Sequence, residues 1–233
     1  MTEVVSYELV DGVAVLTMDD KKANAISHEM LDQLGAALDR AEDEAGAVVI
    51  AGREGRFSGG FDLAVMTAGA ADTRGLVTAG ARFLTRLYGF PRPTVAACTG
   101  HAIAAGALIL LACDQRIGAE GPAKIGLNEV AIGMTLPVFA IELARDRLAA
   151  SHLGPATVHA RIYDPAVAVE AGYLDRVVPA ESVVTEARAE AGRLGELRAG
   201  AFARTKQVLR RTTIGRILDT LEDDMDSITN PDD

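Results

Sequence analysis

The chain has 233 residues, 49% of them hydrophobic, and its 33 acidic and 23 basic side chains give a formal net charge of −10. This apolar content is enough to bury a sizeable core, which excludes a disordered chain, and the acidic balance argues against a nucleic-acid-binding protein. Both cysteines, Cys98 and Cys113, lie in apolar stretches and predict buried, reduced thiols rather than a disulfide framework.

Targeting, membrane and metal signals are weak in this sequence. The amino-terminal segment does not resemble a secretory signal, and we expect a cytoplasmic protein. The most apolar segment, Ala102 to Cys113, is interrupted by Gly106 and is shorter than the roughly 20 residues that span a bilayer, so it predicts a core helix and no membrane partner. His28, His152 and His159 lack metal-ligand spacing, and no metal site is expected.

Through the first half of the chain, short strand patterns alternate with helix patterns. Val-rich runs flank a hairpin-type Asp-Gly turn, and a helix capped by Ser27 leads into a wholly apolar strand of the kind covered on both faces. The elements predicted here are strands over 4–10, 13–18, 47–51, 94–98 and 115–119, and helices over 28–44, 79–88 and from residue 104 onward. Strand, helix, strand in this order predicts right-handed crossovers in a parallel α/β sheet.

From residue 138 onward the patterns are mainly helical. They predict helices over 139–147, 155–160, 165–171 and 182–197, two amphipathic helices within 200–228, and a frayed tail over 229–233. We therefore predict a core domain of strand-helix units over residues 1–185 and a helical carboxyl-terminal region over 186–233.

Two segments indicate backbone amides aimed at one oxygen. RFSGGFDL over Arg56–Leu63 contains a glycine pair that lets the backbone approach a ligand closely, and GHAIAAGALILLACD over Gly100–Asp114 opens a long apolar helix after Ala104. The first N–H groups of a helix have no partner within it and lie at its positive dipole end. Two such amides that converge would form an oxyanion hole.

With two further segments, KKANAIS over Lys21–Ser27 and AKIGLNEVAIGMTLP over Ala123–Pro137, the chain resembles the crotonase, or enoyl-CoA hydratase/isomerase, superfamily over essentially its whole length. The resemblance implies a spiral of repeated strand-helix (ββα) units. It also implies that the helical carboxyl-terminal region mediates a homotrimer or a hexamer built as a dimer of trimers.

The resemblance also implies an acyl-CoA thioester substrate, with coenzyme A as part of that substrate and no separate cofactor. The amides of Phe61 and Ala105 would hold the thioester oxygen. Other predicted substrate-binding residues are Lys22, Ala23 and Ala25 on the coenzyme A path, Asp62 and Leu63 near the adenine, and Lys206 near the phosphates. Ser58, Gly59 and Gly60 of the first oxyanion segment, Leu108 and Asn128 complete the predicted set.

The reaction predicted from the resemblance depends on two positions. Family hydratases use two glutamates, but Leu108 stands at the first position and only Glu129, in IGLNE, at the second. A single carboxylate suits a proton shuttle from C2 to C4 of a 3-enoyl thioester, and IGLNE is similar to the mitochondrial type of Δ3,Δ2-enoyl-CoA isomerase. Hydration with an unrecognised second group and a catalytically silent acyl-CoA binder remain alternatives.

Three further expectations concern the surroundings of this site. Ala104-Ala105 replaces the family's usual glycine pair, and we expect the amide to survive this change. The apolar residues Ile125, Leu127, Val130 and Ile132 predict a raised pKa for Glu129. His101 is interpreted as a structural residue at a strand-helix junction, with a supporting role near the pocket left open.

Overall fold

The computed structural model describes residues 2–226 as an α/β fold. In chain order its strands are β1 (Val5–Val10), β2 (Val13–Met18), β3 (Ala25–Ile26), β4 (Ala47–Ala51), β5 (Gly55–Ser58), β6 (Gly60–Phe61), β7 (Thr94–Cys98), β8 (Gly100–Ile103), β9 (Gln115–Ala119), β10 (Ile125–Gly126) and β11 (Arg176–Val178). Its helices are α1 (His28–Glu44), α2 (Leu63–Met66), α3 (Ala70–Tyr88), α4 (Ala105–Ala112), α5 (Val138–Arg147), α6 (Ala150–Thr157), α7 (Pro165–Ala171), α8 (Val183–Gly195) and α9 (Ala199–Asp226).

The strands form one large sheet and two small ones. The large sheet has the order β1-β2-β4-β7-β9-β11, in which β1 and β2 are antiparallel and every later pair is parallel. One small sheet has the order β10-β8-β5 and the other pairs β3 with β6, all in parallel. After the β1-β2 hairpin, each turn of the chain adds one strand to the large sheet and one or two short strands to the small sheets. This is the spiral of repeated units that the resemblance implied.

Both faces of the large sheet are covered. In β4, Val48 and Ile50 join the main core beneath α1, α3 and α4, whereas Val49 belongs to a second cluster on the opposite face. Helix α8 closes that second face with Val183, Ala187 and Ala191. Burial on both faces explains why the central strands are apolar throughout rather than alternating.

The long helix α9 packs into the main core through Ile217, Leu221 and Met225. It is continuous from Ala199, so the prediction of two helices within 200–228 was wrong over the described residues. The predicted boundary after residue 185 falls inside α8, and the tail predicted to fray over 229–233 lies outside the described residues.

Most other predicted elements are confirmed, and three corrections apply. Helix α1, strands β2, β4, β7 and β9, and helix α7 have the predicted bounds. Helix α3 begins at Ala70 rather than 79, and α6 covers Ala150–Thr157 rather than 155–160. Strand β11 was missed because its three residues give too short a pattern, although its parallel pairing with β9 extends the large sheet.

Cys98 and Cys113 are free and buried, as predicted, and burial raises the pKa of each thiol to about 12. Across residues 2–226, none of the helices combines the length and apolarity that crossing a bilayer requires.

Candidate active site

The loop before β3 is held by two polar side chains. Asn24 is fully buried with a left-handed backbone (φ 52°), and its side-chain amide donates to the carbonyls of Met18 at 2.8 Å and Phe57 at 3.2 Å. The carboxylate of Asp20 accepts hydrogen bonds from the backbone N–H groups of Asn24 at 2.8 Å and Ala25 at 2.9 Å. Burial opposes ionisation of Asp20, but these backbone donors outweigh it and lower the pKa of Asp20.

Ser58 connects this loop to the first glycine pair. Its hydroxyl is buried, donates to the carbonyl of Asn24 at 2.7 Å and accepts the amide of Gly60 at 3.2 Å. The sequence predicted Ser58 as a substrate contact, but its hydroxyl already serves hydrogen bonds within the protein. Its role in the structure is to fix the backbone just before Phe61.

The backbone amides on either side of Phe61 both have hydrogen-bond acceptors within the protein. Gly60 donates to Ser58 Oγ, and Asp62 donates to the carbonyl of Ile26 at 3.1 Å as part of the pairing of β3 with β6. These two hydrogen bonds fix the backbone on both sides of Phe61. The role of the Phe61 N–H as an oxyanion donor remains a prediction.

The second oxyanion segment lies directly beside Gly60. A Cβ added to Gly60 (φ 99°) would lie 2.9 Å from Ala104 Cβ and 3.7 Å from the Ala105 nitrogen. Glycine at position 60 thus permits the two segments to meet. Gly106, the second residue of α4, has the same function, because a Cβ there would lie 2.5 Å from the Ser58 carbonyl oxygen.

Ala104 adopts a backbone conformation that favours glycine, with φ 52° and ψ −122°. Its N–H donates to the carbonyl of Gly126 at 3.0 Å, and α4 begins at the next residue. Ala105 is the first residue of that helix, so its N–H has no acceptor within the helix. The alanine that replaces the family's glycine therefore keeps the predicted amide at the cost of strain at residue 104.

Glu129 follows a segment that is anchored to the second oxyanion segment. β10 pairs in parallel with β8, and the Gly126 carbonyl accepts the Ala104 amide. Glu129 then precedes a short 3-10 turn over Val130–Ile132. The residue is half-buried, but its Oε2 atom is inaccessible to solvent.

Burial raises the pKa of Glu129 to about 7, against the lowering effect of backbone donors at Glu129 and Asn128. A carboxyl with such a pKa exchanges protons readily near neutral pH. The predicted apolar surroundings are only partly present, because Ile125 and Leu127 are buried whereas Val130 and Ile132 are 45% and 55% exposed.

Leu108 is 1% exposed and lies one turn into α4, with its N–H donating to the Ala104 carbonyl at 3.1 Å. An aliphatic side chain at this position cannot bind or activate water. Any second acid for hydration would have to come from another position.

The predicted coenzyme A path begins at an exposed edge. Lys22 and Ala23 are exposed and Ala25 is half-buried, while Gly59 donates to the Ala23 carbonyl at 2.9 Å. The Arg53 guanidinium also donates to the Lys22 carbonyl, which ties this edge to the end of β4.

Asp62 and Leu63 adjoin this edge at the start of α2. The Asp62 carboxylate caps α2 by accepting the amide of Ala64 at 2.9 Å, and Leu63 is 69% exposed. The adenine contact predicted for these two residues remains a prediction.

Lys206 lies apart from these residues, on α9. Its ammonium is 5% exposed and contacts Asp114 Oδ2 at 2.7 Å, and Arg210 contacts the other oxygen of that carboxylate at 3.0 Å. Burial lowers the pKa of Lys206 to about 8, although Asp114 opposes this shift. A phosphate contact would require Lys206 to leave Asp114, and the contact predicted for it remains a prediction.

His101 also has a structural contact, since its Nδ1 accepts the amide of Lys124 at 2.9 Å. Burial lowers the pKa of His101, and the charges of Arg56 and Lys124 lower it further. Sequence reasoning missed the structural role of Asn24. This buried polar residue lies within KKANAIS, whose other residues were interpreted only as ligand contacts.

The family model for enoyl-CoA hydratase/isomerase matches residues 8–229. Among curated proteins, the human mitochondrial enoyl-CoA delta isomerase 1 is 29% identical over 94% of this chain and 74% of its own length. A putative enoyl-CoA hydratase of Thermus thermophilus is 34% identical over 84% of this chain and 80% of its own length.

Solved structures agree with this match. An enoyl-CoA hydratase/isomerase family protein from Pseudomonas syringae superposes with a TM-score of 0.95 at 42% identity, covering 97% of this chain and 99% of that one. Human mitochondrial Δ3,Δ2-enoyl-CoA isomerase superposes with a TM-score of 0.93 at 29% identity, covering 97% and 90%. Motifs, fold and matches together establish that this chain belongs to the enoyl-CoA hydratase/isomerase family and has the crotonase fold.

Proposed function

We propose that this protein isomerises a 3-enoyl-CoA to the conjugated 2-enoyl-CoA. The observation that carries the proposal is Glu129: its pKa is about 7, and its segment is tied by β10 and β8 to the turn that exposes the Ala105 amide. A carboxyl of this kind can both accept and return a proton at neutral pH.

The proposed reaction moves one proton and no other atom. The Glu129 carboxylate takes a proton from C2, and the electrons of that C–H bond form a C1–C2 double bond while the carbonyl π electrons move onto oxygen, which gives a dienolate. Its negative charge rests on the thioester oxygen, where the amides of Phe61 and Ala105 stabilise it. The protonated Glu129 then delivers the proton to C4, where the electrons of the original C3–C4 double bond form the new C–H bond. The C1–C2 electrons shift to form the C2–C3 double bond, and the thioester carbonyl is restored.

Leu108 supports isomerisation over hydration. Hydration needs a group that binds and activates water, and the buried leucine cannot supply one. The names of the relatives include both activities, so the choice rests on this residue and on Glu129.

The exposed edge formed by Lys22, Ala23 and Ala25 supports binding of the coenzyme A moiety. Its position next to Gly59 would lead the pantetheine chain toward the two oxyanion amides. The acyl-CoA is the substrate, and the proposed chemistry needs no other cofactor.

We further propose that the chain assembles as a homotrimer or a dimer of trimers. Val208, Leu209 and Leu218 on α9 are 53%, 75% and 52% exposed, and apolar side chains in one helix are often covered by a partner. Light scattering coupled to gel filtration tests this proposal, and a monomer at micromolar concentration would contradict it.

The activity is tested with 3-hexenoyl-CoA and 2-hexenoyl-CoA in separate assays. The proposal expects a conjugated product from the first and little consumption of the second. Glu129→Gln should lower the isomerisation rate by about a hundredfold or more while coenzyme A ester affinity stays within about tenfold. Glu120→Gln, at an exposed glutamate, is the matched control and should be fully active.

Two outcomes contradict the proposed reaction. Water addition to 2-hexenoyl-CoA with no isomerisation would identify a hydratase. Tight binding of both esters without either reaction would identify an acyl-CoA binder.

A further inference from the structure

A cavity of about 500 Å³ opens at the surface beside the first half of α9. Its volume lies within the range of about 300–1,000 Å³ that small-molecule sites usually have. The wall is mainly apolar and includes Ala201, Phe202 and Leu209 of α9 and Leu197 just before that helix. Leu197 and Leu209 are 49% and 75% exposed, so a ligand can enter from solvent.

This cavity is separate from the candidate active site. Helix α4 begins at Ala105, whose amide is a candidate oxyanion donor, and ends at Ala112. A helix of this length spans about 10 Å, and the cavity is lined by Asp114, two residues beyond the far end of α4. Among the described substrate-binding candidates, Lys206 alone lines the cavity. A ligand bound here would therefore not occupy the position proposed for the reacting thioester.

Three cationic side chains meet at Asp114. Lys206 and Arg210 line the cavity, are each 5% exposed, and contact the two oxygens of the Asp114 carboxylate at 2.7 and 3.0 Å. Arg147 donates to the main-chain carbonyls of Cys113 at 2.8 Å and Asp114 at 3.0 Å. One carboxylate thus serves three positive charges, two of which line the cavity.

Acceptors for these cations are in short supply within residues 2–226. A second carboxylate in this region, Asp175, is already held by Arg116 through contacts of 2.6 and 3.1 Å. Arg147 Nε and Arg116 Nη1 are inaccessible to solvent and have no hydrogen-bond partner in the described part of the chain. Burial lowers the pKa of Lys206 to about 8 and that of Arg147 to about 10, as expected for cations whose charge is incompletely compensated. Arg198 adds an exposed cation to the cavity wall.

We infer that this cavity binds an anion with an apolar body, of the class of the medium-chain fatty carboxylates. The Lys206 ammonium has three donors, and its protein contacts are Asp114 at 2.7 Å and the Arg92 carbonyl at 3.5 Å, so one donor is left for a ligand. The apolar chain would lie along Phe202 and Leu209. Because Asp114 also lines the cavity, a ligand with one negative charge fits better than a phosphate with two.

The test is an isothermal titration of sodium octanoate into the protein in its native assembly, because Leu209 is also among the residues proposed to face a partner subunit. Hexanoyl-CoA, which has no double bond to shift, is present at saturation to fill the proposed active site. Octanoate should bind at one site per chain. Octan-1-ol should bind at least about tenfold more weakly, because it lacks the charge that strengthens the hydrogen bond to Lys206. Inorganic phosphate should not displace octanoate.

Two variants locate the site. Lys206→Met removes the ammonium and should weaken octanoate binding about tenfold or more. Ala201→Trp, at an exposed position of the wall, fills the cavity without changing its charges and should weaken binding to a similar extent. Arg211→Met removes an exposed cation of the same helix outside the cavity, so it is the matched control and should bind octanoate as the parent does.

Three results would overturn the inference: no binding of octanoate, equal binding of octan-1-ol, or unchanged binding in both Lys206→Met and Ala201→Trp. Binding that occurs only when hexanoyl-CoA is left out would also overturn it, because octanoate would then be entering the acyl site. None of these results depends on whether 3-hexenoyl-CoA is isomerised. The failure of this inference and the failure of the proposed function are therefore distinguishable.

Discussion

The ring of Phe61 lies directly on Gly80, in the middle of α3. A Cβ added to Gly80 would lie 2.4 Å from both Cε1 and Cζ of that ring. Phe61 therefore has two functions: its amide is a candidate oxyanion donor, and its side chain anchors that amide against a helix. The absence of a side chain at Gly80 determines how closely the anchor can approach.

Gly80→Ala should consequently displace the Phe61 ring and the amide attached to it. We expect kcat/KM for 3-hexenoyl-CoA to fall about tenfold or more, because misplacing one oxyanion donor costs about 1–4 kcal/mol of transition-state stabilisation. Gly75→Ala is the matched control, since position 75 of the same helix has open space around it. That variant should keep full activity and gain up to about 1 kcal/mol of stability from helix propensity.

Replacing Ala104 by glycine should stabilise the protein, whereas the same replacement inside a helix destabilises it. Its φ of 52° is strained for alanine, so Ala104→Gly should raise the free energy of unfolding by about 1 kcal/mol while keeping activity. Ala107→Gly makes the same chemical change inside α4, where it should cost about 1 kcal/mol. Urea unfolding of both variants compares these signs, and destabilisation by Ala104→Gly would show that position 104 is not strained.

Local patterns were enough to predict much of this fold. Strands such as β4 and β7 are buried on both faces, and α1 has a cap and a regular apolar face, so short-range sequence determines their bounds. The extent of α9 and the existence of β11 were not predictable in this way. Strand β11 is stabilised by pairing with β9, a long-range contact that no local pattern records.

The candidate site also contains features that local patterns predict and features that depend on long-range contacts. The motifs indicated Glu129, Phe61 and Ala105 as candidates, but they could not tell ligand contacts from residues that support the backbone. Ser58 and Lys206 were predicted to bind substrate, yet each is buried with partners in the protein. A buried polar residue that bonds backbone groups leaves no periodic signal in the sequence.

The activity should depend on the ionisation of Glu129. Proton abstraction needs the carboxylate, and burial raises the pKa of Glu129 to about 7. We expect kcat/KM to rise with pH and to level off above a midpoint near 7, as measured with 3-hexenoyl-CoA between pH 5 and 9. A profile already flat from pH 5 upward would mean that Glu129 titrates normally or is not the base.

The same ionisation should destabilise the fold as pH rises. Glu129 has a pKa of about 7 in the folded state against 4.5 normally, so the folded protein binds the proton more tightly. The penalty is absent below about pH 4.5, grows between the two values and is complete above 7. Because Glu129 is half-buried, we expect Glu129→Gln to be more stable than the parent by about 1–3 kcal/mol at pH 8.

Urea unfolding at pH 5 and pH 8 measures this difference. Glu120→Gln, at an exposed position, should follow the parent at both values. An equal advantage of Glu129→Gln at pH 5 and pH 8 would contradict a raised pKa.

Variants of Lys206 and Lys22 should distinguish a structural cation from a substrate-binding one. Lys206→Met leaves Asp114 paired with Arg210, and it removes an ammonium whose burial already outweighs its attraction to Asp114. Removing one partner of a buried ion pair is costly when the other charge is left uncompensated. Asp114 is not left so, because Arg210 and the backbone and hydroxyl donors of Thr94 still contact its carboxylate. We therefore expect a stability change within about 1 kcal/mol and an unchanged KM for the acyl-CoA.

Lys22→Met removes an exposed cation on the proposed coenzyme A path, so it should raise KM several-fold, more strongly at low salt, without affecting stability. A higher KM in Lys206→Met with none in Lys22→Met would reverse these two assignments.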